Sequence, residues 1–423
     1  MRKAIIQGRL KGTVSIPSSK SVAHRMLICA ALSDTPSKIR CTGYGKDVIA
    51  TAECLNQLGA DIEIVDDIIK VTPVKKINKD TRCILNCGES GSTLRFLLPI
   101  AAALDASSEF RGEGRLPQRP LSPLYEQMAA HGVSMSPNGS LPLTCDGKLK
   151  GGRYTLGGNV SSQFVSGLLM ALPLADEDSE IIITGQREST PYIDITIDVM
   201  KKFGINIVTV ENGYQITGGC QYRTPGDMAV EGDWSGAAFW IVAGCIGKEP
   251  IRCQGISYEH SVQGDRAIVD VLRAMGADIR CDNDGVTAMP SQLRGIETDC
   301  KNIPDLVPAL AIAAAMAEGN TVFYGIERLR LKESDRVATV CNILRSFNIE
   351  CSSTEGSLTV IGGGKPKPAI IDPANDHRIA MAAAIMASVT EGESVITDTS
   401  CTEKSYPQFF KSFVDLGGSY VEI

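Results

Sequence analysis

The sequence predicts an α/β protein of two domains. Each is an inside-out α/β barrel with helices inside and sheets outside, and six βαβαββ repeats, three per domain, build the pair. Three observations carry this. First, an apolar helical segment rich in Ala and Leu recurs six times, starting at Ser19, Ser90, Ser161, Asp233, Pro304 and Asn375. Successive starts differ by 71, 71, 72, 71 and 71 residues, and a fixed period marks a repeat architecture. Second, a later segment keeps the same beat: an amphipathic helix end, a turn residue, then a strand, as in LNQLGADIEI and LRSFNIECS. Its turn residues are Gly59, Gly132, Gly204, Gly276, Asn348 and Gly417, residue types that tolerate the left-handed end of a helix. Third, the six recurring helices are apolar almost all round, which assigns them to the interior of a core.

Within a repeat the order is strand, buried helix, strand, amphipathic helix, strand, strand. In the first repeat these elements are expected near Thr13–Ile16, Ser19–Leu32, Lys38–Cys41, Asp47–Leu58, Asp61–Val65 and Ile68–Thr72. Six such units are too many for one compact core, so three plus three is the natural division. The stretch TPGDMAVEGD, Thr224 to Asp233, lies at the midpoint and contains a Pro-Gly breaker.

A hydrophobic content of 43% with 22% charged residues is that of an ordinary globular protein. The net charge of -7 argues against general binding to nucleic acid or membrane surfaces. No apolar run reaches membrane-spanning length, and Met1 opens into RKAIIQGRLKG, which lacks the pattern of a signal peptide. The 14 cysteines are scattered and include no C-x-x-C pair, so reduced, mostly buried thiols in a cytoplasmic protein are expected.

Chemistry gathers at the helix mouths. The polar residues of the apolar helices cluster at their N-terminal ends: Lys20, Ser21 and Arg25; Ser90, Ser92 and Arg95; Ser161, Ser162 and Gln163; Asp233 and Ser235; Asp305; Asp376, His377 and Arg378. Ser and Asp there are ordinary N-caps, and capping is the expected role of Ser90, Asp233 and Ser235. Lys and Arg oppose the positive end of the helix dipole. They fit a helix mouth that binds an anion, with a snorkelling surface cation as the alternative. Further cations lie in GEGRLPQRP (Arg115, Arg119), RLRLKESDR (with Glu333 and Asp335) and CTEKSYP (Lys404). Other motifs fail. IGGGKPKP has Pro366 where a P-loop needs Ser or Thr, GYGKD lacks the third Gly of a dinucleotide fingerprint, and the four histidines have no metal-ligand spacing.

Taken together, IPSSKSVAHR, GESGSTLR, GEGRLPQRP, GGNVSSQF, STPYIDIT, VEGDWSGAAF, IPDLVP, LKESDR, NDHRIAM and CTEKSYP resemble one family, 3-phosphoshikimate 1-carboxyvinyltransferase or EPSP synthase, in order and over the full length. The resemblance implies transfer of the enolpyruvyl group of phosphoenolpyruvate to the 5-hydroxyl of shikimate 3-phosphate, with release of phosphate, on the route toward chorismate. It implies a domain of residues 19–231 and a second of residues 1–18 with 232–423, and an active site in the cleft between them. Lys20, Ser21, Arg25, Ser161, Ser162, Gln163, Ser189, Asp305 and Lys332 are then expected to contact shikimate 3-phosphate. Lys20, Gly91, Arg119, Gln163, Arg336, Arg378 and Lys404 are expected to hold phosphoenolpyruvate. Asp305 is the candidate base and Glu333 the candidate acid, with Lys20 and Lys404 moving protons or stabilising charge. No cofactor, metal or nucleic acid is implied, and family analogy points to a monomer.

Two positions depart from the family pattern: Glu89 and Arg328 stand where Asn is expected. The nearest rival is the sister family, UDP-N-acetylglucosamine 1-carboxyvinyltransferase, which typically carries a reactive Cys where GRLPQRP has none. A rival of another class is a non-catalytic repeat protein that only binds phosphorylated ligands, against which Asp305 and Glu333 beside the cations argue.

Overall fold

The computed structural model describes residues 2–75, 77, 81–136, 139–158, 161–185 and 188–423. Asn159 and Val160 of the GGNVSSQF motif lie outside the described residues. The chain divides into two compact units, one of Lys20–Val230 and one of Met1–Ser19 with Glu231–Ile423.

In the Lys20–Val230 unit the helices are α1 (Lys20–Ala31), α2 (Lys46–Gln57), α3 (Gly91–Ala103), α4 (Leu124–Ala130), α5 (Ser162–Ala171) and α6 (Thr190–Lys202). In the other unit they are α7 (Trp234–Ile246), α8 (Ile268–Ala274), α9 (Val307–Met316), α10 (Arg336–Ser346), α11 (His377–Val389) and α12 (Phe409–Asp415). The odd-numbered helices are the recurring apolar segments. From Trp234 to Cys245 every residue of α7 is buried, and α3 exposes little besides Ser92. Each fully buried Leu, Ile or Phe on them contributes roughly 1.5–3 kcal/mol. The even-numbered helices bury one face; α10 buries Arg336, Val337, Val340, Cys341, Ile343 and Leu344. All six predicted turn residues take the left-handed conformation, including Asn348 at φ 65°.

Each unit carries three four-stranded sheets with one repeated plan. Two parallel strands flank a buried helix, and two further strands add antiparallel. One example runs Cys83–Asn86, Ser108–Arg111, Leu143–Asp146, Ser134–Met135. The first repeat differs from the linear reading. Strand Gly12–Ser15, which chain order places at its head and the resemblance assigns with residues 1–18 to the second domain, pairs in parallel with Ile251–Gln254 in the other unit's sheet, with Val14 opposite Cys253. Its place beside Ser37–Arg40 is taken by Asp227–Ala229. The N-terminal strand Ala4–Gln7 likewise completes the last repeat, between Ser394–Ile396 and Ser419–Glu422. Strand propensity is local but pairing is not, so chain order alone does not name a strand's neighbour.

Close helix approach brings the mouths together. A Cβ on Gly167 of α5 would collide with the carbonyl oxygen of Arg95 on α3, so only glycine lets the two backbones meet there. All fourteen cysteines are free thiols, of which Cys83, Cys220 and Cys281 are partly exposed.

Candidate active site

Two polar clusters form, one in each unit, each at the N-terminal ends of the buried helices.

In the Lys20–Val230 unit, Lys20 opens α1 and its ammonium lies 3.0 Å from the Asp47 carboxylate at the start of α2. One turn further along, His24 Nδ1 lies 2.7 Å from the Thr51 hydroxyl, which pairs with the Thr93 hydroxyl of α3 at 2.7 Å. Burial first, then the charges of Lys20 and Arg25, hold the His24 pKa well below the usual imidazole range, so His24 is neutral. Arg25 is no snorkelling cation. It is 3% exposed and donates through Nε to Thr196 Oγ1 at 2.6 Å and to the carbonyls of Ser21 and Tyr192 at 2.7 and 2.9 Å. Its guanidinium also lies 4.8 Å from the Phe96 ring centre. Burial lowers the Arg25 pKa to about 9.

The mouths of α3 and α5 are tied side chain to side chain. Arg95 donates to Gln163 Oε1 at 2.7 Å, and Gln163 Nε2 donates to Ser92 at 2.9 Å. Ser90 and Ser161 cap their helices, accepting from the backbone N–H of Thr93 and Gln163. Gly91 lies under the Arg119 guanidinium: a Cβ there would stand 2.6 Å from one of its terminal nitrogens. The Glu89 carboxylate packs against Gly114 in the same Arg119-bearing loop. Ser189, at the head of α6, is buried and left-handed at φ 54°, a conformation that costs a non-glycine residue on the order of 1 kcal/mol or more.

In the other unit, carboxylates and cations interlock. Asp305 accepts from Arg336 at 2.7 Å, Arg378 at 3.0 Å and Lys332 at 3.3 Å. Arg336 is 1% exposed and also donates to Glu333 and Asp376, at 2.7 and 2.8 Å. Burial opposes its charge, but Asp376, Glu333 and Asp305 outweigh it and push the pKa up. A planar fork with five donors in fixed directions serves the three carboxylates from separate nitrogens. Burial lowers the Lys332 pKa, with Asp305 opposing. Lys404 donates to the Asn375 carbonyl at 2.7 Å. That carbonyl is presented by two successive left-handed non-glycine residues, Ala374 and Asn375 at φ 51° and 55°. Asp376, fully buried, caps α11 through the Arg378 N–H and also accepts from Ser334.

Every expected site residue therefore lies at a helix mouth or a loop beside one: Lys20, Ser21, Arg25, Gly91, Arg119, Ser161, Ser162, Gln163 and Ser189 in one unit, Asp305, Lys332, Glu333, Arg336, Arg378 and Lys404 in the other. The hydrogen bonds just described join Asp305, Lys332, Glu333, Arg336 and Arg378 in one unit, and Ser21 with Arg25 and Ser161 with Gln163 in the other. Two expectations change in detail. Asp233 occupies the N-cap position of α7 without a side-chain cap bond. Ser235 is no cap: its hydroxyl donates to the buried Asp265. Burial, then the nearby Asp305 charge, raise the Asp265 pKa to about 6. Asp47, Asp265 and the hub role of Asp376 were not singled out from sequence. Asp47 and Asp265 lie in unremarkable Lys-Asp and Gly-Asp pairs, and only their buried neighbours distinguish them.

Residues 5–413 match the family model described as EPSP synthase (3-phosphoshikimate 1-carboxyvinyltransferase). The chain belongs to the EPSP synthase family. A 3-phosphoshikimate 1-carboxyvinyltransferase of Clostridium kluyveri is 42% identical over 98% of this chain and 97% of its own. One from Clostridium perfringens is 39% identical over 99% of both. Among solved structures, an EPSP synthase from Acinetobacter baumannii superposes with a TM-score of 0.84 at 26% identity, covering 100% of both chains. The family is that of carboxyvinyltransferases, and this chain is a transferase of the shikimate pathway. The sister UDP-N-acetylglucosamine family is not favoured. Among the described residues no helix is long and apolar enough to cross a membrane.

Proposed function

We propose that the two clusters act on the same pair of ligands, shikimate 3-phosphate and phosphoenolpyruvate, and carry the enolpyruvyl group from the second to the 5-hydroxyl of the first. The observation that supports this most is the convergence of Lys332, Arg336 and Arg378 on Asp305, with Glu333 on the far side of Arg336. Arg336, Arg378, Lys404 and Arg119 suit the phosphate and carboxylate of phosphoenolpyruvate, which Arg can engage bidentately. Lys20, Ser21, Arg25, Ser161, Ser162, Gln163, Ser189 and Lys332 serve shikimate 3-phosphate, with Lys20 and Gln163 touching both ligands and Gly91 admitting phosphoenolpyruvate close to the backbone.

In this reading Asp305 takes the proton of the 5-hydroxyl as its oxygen attacks C2 of phosphoenolpyruvate, and Glu333 gives a proton to the methylene carbon C3. The tetrahedral intermediate carries both groups. Loss of a proton from C3 and departure of phosphate from C2 then restore the double bond. The surrounding cations stabilise the charge on the phosphate throughout. The enzyme works as a cytoplasmic monomer on small molecules, without nucleic acid.

Phosphate release from the purified chain with both substrates, and with each alone, tests the reading. Release that needs both substrates and yields the enolpyruvyl ether supports it. No release, or the same release when UDP-N-acetylglucosamine replaces shikimate 3-phosphate, refutes it.

A further inference from the structure

The start of α1 is tied to α2 by two rungs one helical turn apart. Lys20 meets Asp47 at 3.0 Å, and His24 meets Thr51 at 2.7 Å. Both rungs join residues 27 apart, so the helices run in the same direction with i and i+4 positions in register. The lower rung is buried and polar. His24 and Thr51 are fully buried, the Thr51 hydroxyl meets that of Thr93, and Thr93 donates to Ser90, the cap of α3. The hydroxyls of Thr51 and Thr93 each also lie 3.4 Å from the Asp47 carbonyl oxygen. A network of this kind, embedded in an apolar core, is costly to disturb, so it fixes where the Asp47 backbone stands. The Asp47 side chain then reaches the Lys20 ammonium at the mouth of α1, while the Arg25 guanidinium is bound to Thr196, Tyr192 and Ser21.

We propose that Asp47 is the positioning residue of Lys20. It holds the ammonium at the mouth of α1 against the helix dipole and the Arg25 charge before substrate arrives, and an incoming phosphate or carboxylate must compete with it. The Thr51–His24 rung below keeps Asp47 in place. This rests on the proposed role of Lys20 in the reaction.

The pair has opposite effects on binding and turnover. A carboxylate beside the cation that receives a polyanion weakens binding of that anion. The same carboxylate restricts the lysine to one place and so favours turnover. The test measures phosphate release by the full chain at saturating shikimate 3-phosphate, with phosphoenolpyruvate varied. In Asp47→Asn the KM for phosphoenolpyruvate is expected to fall roughly threefold to tenfold, as one negative charge leaves the neighbourhood. Its kcat is expected to fall about tenfold, as Lys20 loses the carboxylate that holds it in place. Asp47→Glu, which keeps the charge, should return KM to near the wild-type value. A purely structural Asp47 would instead raise KM or leave both constants unchanged while Tm falls, and either result overturns the proposal. Should Asp47→Asn fail to fold, Thr51→Val removes the lower rung, with its links to Thr93 and the Asp47 carbonyl, and leaves the Asp47 charge; a lower kcat at unchanged KM supports the proposal, and an unchanged kcat overturns it. Lys20→Met is measured beside them: if it keeps full turnover, the role of Lys20 fails first, and that failure is distinct from a dead Lys20→Met beside an unaltered Asp47→Asn.

Discussion

Gly91→Ala turns a single methyl into a displacement of Arg119. The added Cβ would lie 2.6 and 3.1 Å from the two terminal nitrogens of the guanidinium and 3.0 Å from its central carbon. Ordinary van der Waals contact begins near 3.4 Å, so the nearest nitrogen must retreat by about 0.8 Å. Arg119 ends a flexible side chain, and Gly91 opens a helix, where alanine is the better former by roughly 0.5–1 kcal/mol. The fold is therefore expected to keep its Tm or gain slightly. The cost falls on the ligand. A charge-assisted hydrogen bond contributes about 1.5–3 kcal/mol, or roughly tenfold to a hundredfold in affinity. Glyphosate, a family inhibitor that occupies the phosphoenolpyruvate site, should lose more than phosphoenolpyruvate. It is the larger ligand and, in the proposed site, would meet both the displaced guanidinium and the methyl. The assay is steady-state phosphate release with phosphoenolpyruvate varied at several glyphosate concentrations, beside thermal denaturation. A double-mutant cycle with Arg119→Ala completes it: if Gly91→Ala acts through Arg119, the second change should add little to the first. Unchanged KM and inhibition constant, or fully additive effects, would refute the reasoning.

Three other outcomes are expected. Asp305→Ala and Glu333→Gln should lower kcat far more than they weaken calorimetric binding of shikimate 3-phosphate, and full turnover in either variant would remove that residue from the chemistry. Asp265 is held with a pKa of about 6, above the ordinary 3.8, so the folded state binds its proton more readily and stability falls as pH rises from about 4 to about 6. Asp265→Asn should abolish that slope and stabilise the protein at neutral pH by on the order of 2–3 kcal/mol, read from urea denaturation between pH 4.5 and 7.5; an unchanged slope would assign it to another group. Arg25→Lys keeps the charge but cannot reach Thr196, Tyr192 and Ser21 together, and should lower stability by roughly 1–3 kcal/mol in the same assay, whereas an unaltered midpoint would mean these bonds add nothing net.

The six-fold beat, the apolar helices and the left-handed turns were legible in the sequence because each depends on neighbours a few residues away. Gly59 or Asn348 ends a helix through its own φ, and α7 is apolar on every side whatever packs against it. The cations at the helix mouths were legible for a similar reason: a lysine at the start of an apolar helix is anomalous in one dimension. What each cation does was not. Arg25 and Lys20 stand five residues apart on one helix, yet one is buried among hydroxyl and carbonyl acceptors and the other pairs with a carboxylate. The hub at Arg336 joins Asp305, Glu333 and Asp376 from three separate segments, and strand Gly12–Ser15 finds its neighbour more than two hundred residues away. Those assignments belong to the tertiary structure, because hydrogen bonds and ion pairs are set by distance in space. A periodic sequence says which face a residue occupies, and the packing of one repeat against another decides whom it meets there.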